Sequence, residues 1–187
     1  MNEVCGKTVA QFSLKMRLGL HSQKEGLEIL QRMNPYPIDF LCIHPRLGIQ
    51  HYEGNVNLDV FEIFYQATHH TLVYSGDIND VSFFLHLQQR FPKIENWMLG
   101  RGLLQNPFLA EQIAGALHTT SEQNRFMDFY HDYSEIILAL YGEKIALSSL
   151  KELWHYFAAF WKLTPEELQK ILRINDYGVF NNSCADI

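Results

Sequence analysis

Cysteine is scarce and unpatterned in this 187-residue chain. Its three residues, Cys5, Cys42 and Cys184, are widely spaced and form no CxxC pair, which excludes a disulfide framework or a zinc knuckle as the organising device. Positive charge is also short. Fifteen Lys and Arg against 21 Asp and Glu leave a net charge of -6 with histidine neutral, so the whole chain lacks the basic footprint of a protein held to nucleic acid by charge. No apolar run approaches the ~20 residues of a membrane span. The opening Met1–Ala10 is polar, without the apolar stretch of a secretory leader. A cytoplasmic chain with no membrane contact is expected.

What is present is the composition of a folded protein. With 47% hydrophobic and 19% charged residues, the chain has the material for a core and does not read as disordered. Its length suits one domain plus an appendage.

The first half alternates strand and helix signals four times. Strands are expected at Phe12–Leu18, ended by Gly19, at Asp39–His44, at Thr71–Ser75 and at Asn96–Leu99. Between them helical spacing runs over Ser22–Met33, Leu58–Thr68 and Asn79–Arg90, and Asn106-Pro107 is expected to start the next helix. Continuous apolar strands separated by helices predict a parallel sheet covered on its outer face. After Leu117 the strand signals stop. Helical spacing recurs over Gln123–Tyr141, Ser148–Trp161 and Thr164–Ile174, the last opened by a capping Thr164 with Pro165, Glu166 and Glu167 behind it. Trp154, Phe157, Phe160 and Trp161 fall at core spacing, and the tail after Tyr177 reads as disordered. The expected organisation is an α/β domain over residues 1–117 and an all-α domain over residues 118–187.

Ser75-Gly76-Asp77-Ile78 and, some twenty residues on, Leu99-Gly100-Arg101-Gly102 each end a short apolar run in glycine and charge before a helix. Two successive strands ending this way describe the phosphate-binding edge of a (β/α) barrel, where loop N–H groups hold an anion. Four βα units are half of the eight such a barrel closes with, so the fold expected is a partial TIM-type barrel whose two open edges need a cover. A homodimer or a partner chain completing the barrel is the expected remedy.

Functional groups of such a fold sit at strand C-termini. Here these are Lys15 and Arg17, then His44 and Arg46, then Ser75, Gly76 and Asp77, then Gly100 and Arg101. Lys15 lies inside an apolar strand, where a lysine either turns to solvent at an edge or enters the barrel mouth to meet an anion or an electron-rich ring; a buried parallel strand favours the second. Arg101 between two glycines suits a phosphate, which guanidinium pairs bidentately. His44 taken alone reads as a satisfied core histidine. Cys42, His44 and His51 lack the second ligand pair that a metal centre needs, so no metal site is expected. His69-His70 reads as a positive group at a helix end.

Four segments carry a resemblance. Leu14-Lys15-Met16-Arg17-Leu18-Gly19, Cys42-Ile43-His44-Pro45-Arg46, Tyr74-Ser75-Gly76-Asp77-Ile78 and Met98-Leu99-Gly100-Arg101-Gly102-Leu103-Leu104-Gln105-Asn106-Pro107 occur in the order and spacing of tRNA-dihydrouridine synthases. The chain resembles the last four barrel strands and the C-terminal helical domain of that family. The resemblance implies FMN, with Lys15 and His44 approaching the flavin, Ser75 beside them, and Gly76, Asp77, Gly100 and Arg101 around its phosphate. It implies Arg17 and Arg46 as substrate-binding residues and tRNA as the partner. In the family's reaction reduced flavin delivers hydride to a uracil ring, a cysteine donates the proton, and NADPH regenerates the flavin. The uridine has to leave its stack to reach the flavin.

Two departures stand out. The family usually has asparagine where Ser75 stands. The first half of the family barrel, with its proton-donating cysteine segment, has no counterpart here, so no catalytic residue is assigned. The chain on this reading is truncated and inactive alone. Two alternatives stay open: a non-catalytic RNA-binding or interaction module, and an FMN-dependent oxidoreductase acting on a small molecule.

Overall fold

The computed structural model describes residues 11–187; Cys5 and the rest of the opening segment lie outside the described residues. Contacts divide the chain into two compact units, one up to Ile78 with Ser82–Gly100, the other Asn79–Val81 with Arg101–Ile187.

The first unit is built on four parallel strands, β1 (Leu14–Arg17), β2 (Leu41–His44), β3 (Leu72–Ser75) and β4 (Asn96–Met98), in the order β1-β2-β3-β4. Helices α1 (Gln23–Met33), α2 (Leu58–Ala67) and α3 (Val81–Arg90) connect them in turn. The helix starts follow local chemistry. The Ser22 hydroxyl accepts from the N–H of Lys24 ahead of α1, and Asn57 Oδ1 accepts from the N–H of Val60 ahead of α2, each satisfying a donor that a helix leaves orphaned. Gly26 lets α1 close down on the end of β1: a Cβ there would sit 2.1 Å from the carbonyl oxygen of Leu18.

Register sorts the strand residues into two faces. Lys15 pairs with Cys42 and Cys42 with Val73, while Arg17 pairs with His44 and Ser75 with Met98. Because parallel partners share a face and neighbours along a strand alternate, these residues lie on one side. Leu14, Met16, Leu41, Ile43, Leu72, Tyr74 and Trp97 lie on the other. That second side meets the helices: Leu41, Ile43 and Tyr74 are fully buried together with Leu30, Phe61, Phe64, Leu87 and Phe91, and the Phe61 ring packs edge-on against Tyr74 at 5.0 Å and against Phe91 at 4.8 Å.

The second unit is helical throughout its described residues after Gly100, with α4 (Arg101–Gln105), α5 (Leu109–Ala114), α6 (Glu122–Tyr141), α7 (Glu143–Phe160), α8 (Pro165–Leu172) and α9 (Tyr177–Ala185). Phe126, Tyr130, Ile137, Ala146, Leu150, Trp154, Phe157, Phe180 and Cys184 form its core. The expected start of α8 is present, with Thr164 and Glu167 capping each other's backbone.

Three sequence expectations are corrected here. Residues beyond Tyr177 are a helix and not a disordered tail: Asp176 caps α9, and Phe180 and Cys184, four residues apart, turn into the core. Pro107 does not open a helix; it occupies a turn in which the Asn106 side chain accepts from the N–H of Phe108, and α5 begins at Leu109. The division between units falls after Gly100, earlier than residue 117, because α4 packs against α7. Among the described residues no helix is long and apolar enough to cross a membrane.

Candidate functional site

The face of the sheet turned away from the helices gathers the polar strand-end residues. Lys15 stands on the outer strand β1, exposed, and its ammonium reaches across β2 to the Ser75 hydroxyl on β3 at 3.4 Å. It therefore neither turns off the edge nor buries itself, but lies along the polar face. Cys42 sits beneath that contact, fully buried, with its sulfur 3.9 Å from Met98 Sδ. Burial pushes its thiol up, opposed by the nearby Lys15 charge and by Ser75.

Beyond the strand ends a second layer assembles. Arg17 donates through Nη1 to the carbonyl of Leu47 at 2.9 Å, and its guanidinium lies 5.3 Å over the ring of Tyr52. Tyr52, on the loop after β2, is 59% exposed and sets its edge against the His44 ring at 6.3 Å. His44 itself is only 8% exposed. Its pKa is pushed down to about 4, first by burial and then by the charges of Arg17, Arg46 and Lys15, with Asp77 acting the other way.

Arg46 is 3% exposed and is bound from three sides. Nε and Nη2 donate to the carbonyl of Gly54 at 3.2 and 2.6 Å. Nη1 donates to Asp77 Oδ1 at 2.8 Å, and Nη2 pairs with Asp77 Oδ2. Nη1 also lies 3.3 Å from His44 Nε2. Burying an arginine is costly unless its charge and its donors are all met; here they are. The contact to Gly54 folds the loop after β2 back over the strand ends and so places Tyr52.

Gly76 and Asp77 make the turn that ends β3. Gly76 has φ +147° and Asp77 φ +49°, and a Cβ on Gly76 would come within 3.0 Å of Val56 Cγ1, 3.3 Å of Pro45 Cδ and 3.7 Å of His44 Cε1. Only a glycine gives this turn both its conformation and its approach to the loop. Since both Asp77 carboxylate oxygens face Arg46, an anion at this turn meets the backbone of residues 76–77. At the neighbouring strand end, a Cβ on Gly100 would meet nothing within 4 Å, which leaves room for a ligand. Arg101 opens α4 and belongs to the second unit.

The structure thus brings together Lys15 with Ser75 and, separately, His44, Arg46, Asp77 and Gly76. Tyr52, Gly54 and Cys42 join these groups without having been singled out as site residues; a tyrosine and a glycine eight and ten residues past the histidine of a strand end was the available signal. Among the described residues no cluster of three His, Cys, Asp or Glu side chains could hold a metal. The donor set fits FMN. A cation and a hydroxyl lie on the same face as the imidazole of His44, and a glycine turn at the end of β3 and Gly100 after β4 are where a phosphate would approach backbone.

Comparison with known proteins agrees with this arrangement. The family model described as dihydrouridine synthase (Dus) matches residues 1–169. A protein named "Probable tRNA-dihydrouridine synthase" from Rhizobium leguminosarum bv. phaseoli is 27% identical over 150 residues, covering 79% of this chain and 46% of the relative. A protein of the same name from Rickettsia prowazekii (strain Madrid E) is 24% identical over 151 residues, covering 76% and 46%. The chain spans about half the length of the curated relatives it matches.

Proposed function

Because the chain belongs to the dihydrouridine synthase family, we propose that its first unit carries the flavin-facing and uridine-facing part of a tRNA-dihydrouridine synthase site. The observation that carries this reading is the polar face itself: Lys15, His44 and Ser75, from three successive parallel strands, stand on one side of the sheet, with a close-packed glycine turn at the end of β3 and open space at Gly100 after β4. When bound, FMN supplies the hydride that reduces the uracil ring, with NADPH as the ultimate reductant.

On this reading Lys15 supplies positive charge and Ser75 a hydroxyl to the flavin, and His44 donates one neutral hydrogen bond. The turn at Gly76-Asp77 and the backbone at Gly100 receive the phosphate. Arg17 and Tyr52 face the substrate side, where a guanidinium and an aromatic face suit an unstacked base and its phosphate. tRNA is the proposed partner and the cytoplasm the proposed compartment.

The four strands are read as half of a (β/α) barrel, whose closure needs eight. Among the described residues β1 and β4 each pair along one edge only, and a second copy or a partner carrying complementary strands is proposed to cover the other edges. Neither described cysteine suits a proton donor to uracil. Cys42 lies buried beneath Lys15, and burial in the helical core pushes Cys184 up to about 12. The chain alone is therefore proposed to bind the cofactor without turning over.

Titrating the purified chain into FMN and following flavin fluorescence tests the reading. Saturable quenching that weakens in Lys15→Ala is expected. Absence of quenching at high protein concentration, repeated with the covering partner or with the dimer, would remove flavin from the account and leave a module that binds RNA without it.

A further inference from the structure

We propose that Arg46 is a positioning residue for His44, holding its imidazole neutral with the single proton on Nδ1, and not a contact for the substrate. The use of that imidazole rests on the flavin reading above; the arrangement rests on Arg46 alone.

A guanidinium has five N–H donors, no acceptor, and keeps its proton at any pH a protein tolerates. Arg46 accounts for all five: two on the carbonyl of Gly54, two on the carboxylate of Asp77 and one directed at His44 Nε2. Since arginine only donates, Nε2 must present its lone pair, and the ring proton then resides on Nδ1. The guanidinium has no freedom to turn away. Asp77 fixes its plane through two oxygens, Gly54 holds its third corner, and the side chain is buried.

A second proton on His44 would set N–H against N–H at 3.3 Å. Lys15 and Arg17 face the ring from β1, Arg46 from the loop after β2, Asp77 from the turn after β3, and the Tyr52 ring edge from the same loop as Gly54. Three of these are cations. The one carboxylate is already paired with Arg46, so it cannot serve as counter-ion to an imidazolium. Burial first, and these charges after it, push the histidine down to about 4 although an aspartate lies beside it.

The consequence for a ligand on the polar face is specific. His44 presents one donor of constant charge, so the hydrogen bond it gives an electron-rich ring does not come and go as the pH crosses the range where histidines ordinarily titrate. Arg46, read from the sequence as a substrate contact, has no donor left for a phosphate.

The test is made on the flavin-free chain labelled with 15N. Long-range 1H–15N spectra report the protonation of each imidazole nitrogen, and the His44 signals are those missing from His44→Gln. The expected result is a protonated Nδ1 and an unprotonated Nε2, both unmoved between about pH 5 and 8. A proton found on Nε2, or a His44 midpoint in that range, overturns the proposal without need of any variant.

In Arg46→Gln the Asp77 carboxylate is left facing the ring, and the His44 midpoint should rise by more than about one unit; a fixed Nδ1–H signal in that variant also overturns the proposal. In Asp77→Asn, which keeps Arg46 and its contact to Gly54, the Nδ1–H form should persist. The same chain titrated with FMN separates this inference from the one before it. A His44 locked as described in a chain that ignores FMN, alone and with its covering partner or as the dimer, upholds the positioning role and sinks the flavin reading. Flavin binding by a chain whose His44 titrates normally does the reverse.

Discussion

The two sides of the one sheet have opposite compositions although the same four strands make both. Leu14, Met16, Leu41, Ile43, Leu72, Tyr74 and Trp97 face the helices, and Lys15, Arg17, Cys42, His44 and Ser75 face away from them. A strand alternates its side chains with period two, so the sequence Leu-Lys-Met-Arg of β1 writes both faces at once. On the helix side stability comes from apolar area removed from water. On the other side most groups are polar and held by one another, with Cys42, His44 and Ser75 buried and Lys15 exposed. The contrast teaches where to look for stability and where for binding.

The comparison breaks most easily on the helix side. Phe61 is fully buried and touches both Tyr74 and Phe91 with its ring. Phe61→Ala should destabilise the first unit by about 3–5 kcal/mol, the cost of lost transfer energy plus a cavity, read by urea unfolding. A loss under about 1 kcal/mol would mean that the helices do not cover this face as described.

This division of labour was half legible in the sequence. Four apolar runs gave the strands, and Thr164 marked a helix start through a hydroxyl placed before an amphipathic stretch. The polar strand ends at Lys15, His44 and Gly76 were legible too. What failed to show were features decided by distant packing. Phe180 and Cys184 stand in a stretch, Tyr177–Ala185, whose mixed composition hides the i, i+4 pair that buries. Asn106-Pro107 carries a helix-start signature that the Asn106 side chain uses instead for a turn. Arg46 looks like any exposed basic residue at a strand end, since neither Gly54, eight residues on, nor Asp77, in the next βα turn, announces that it will close around a guanidinium.

On the polar side the largest stability effect is a pH effect. The pKa of His44 is pushed down to about 4 in the folded chain, against about 6.5 in the unfolded chain. Between these values the unfolded state binds a proton that the folded state refuses, so stability is full above about pH 6.5 and declines as the pH falls toward 4. The contribution lost is on the order of 3 kcal/mol. His44→Gln should flatten that part of the profile in unfolding experiments across the range, while acid loss from other groups remains. An unchanged slope in the variant would mean that the ring is not held neutral.

Lys15→Ala separates binding from stability. The lysine is exposed and its one described hydrogen bond, to Ser75, is long at 3.4 Å, so unfolding free energy should move by no more than about 0.5 kcal/mol. If the polar face holds FMN, affinity should fall about tenfold, which is about 1.4 kcal/mol. The two readouts together decide: a stability loss with unchanged flavin affinity would turn Lys15 into a structural residue.

The smallest effect sharpens the contrast most. Tyr74 is the one strand residue on the helix side that carries a hydroxyl, and that oxygen is buried without a hydrogen-bond partner among the described residues. Burial, and after it the charge of Asp77, pushes the phenol well above its ordinary value, so it stays neutral and contributes no charge. An unmet buried hydroxyl costs free energy that a ring of the same shape without it avoids. Tyr74→Phe should therefore leave the chain as stable as before or raise its stability by up to about 1 kcal/mol, with the ring contacts to Phe61 and Trp97 intact. A loss of about 1 kcal/mol or more would show that the hydroxyl has a partner, and the helix side of the sheet would then hold a polar element that its composition conceals.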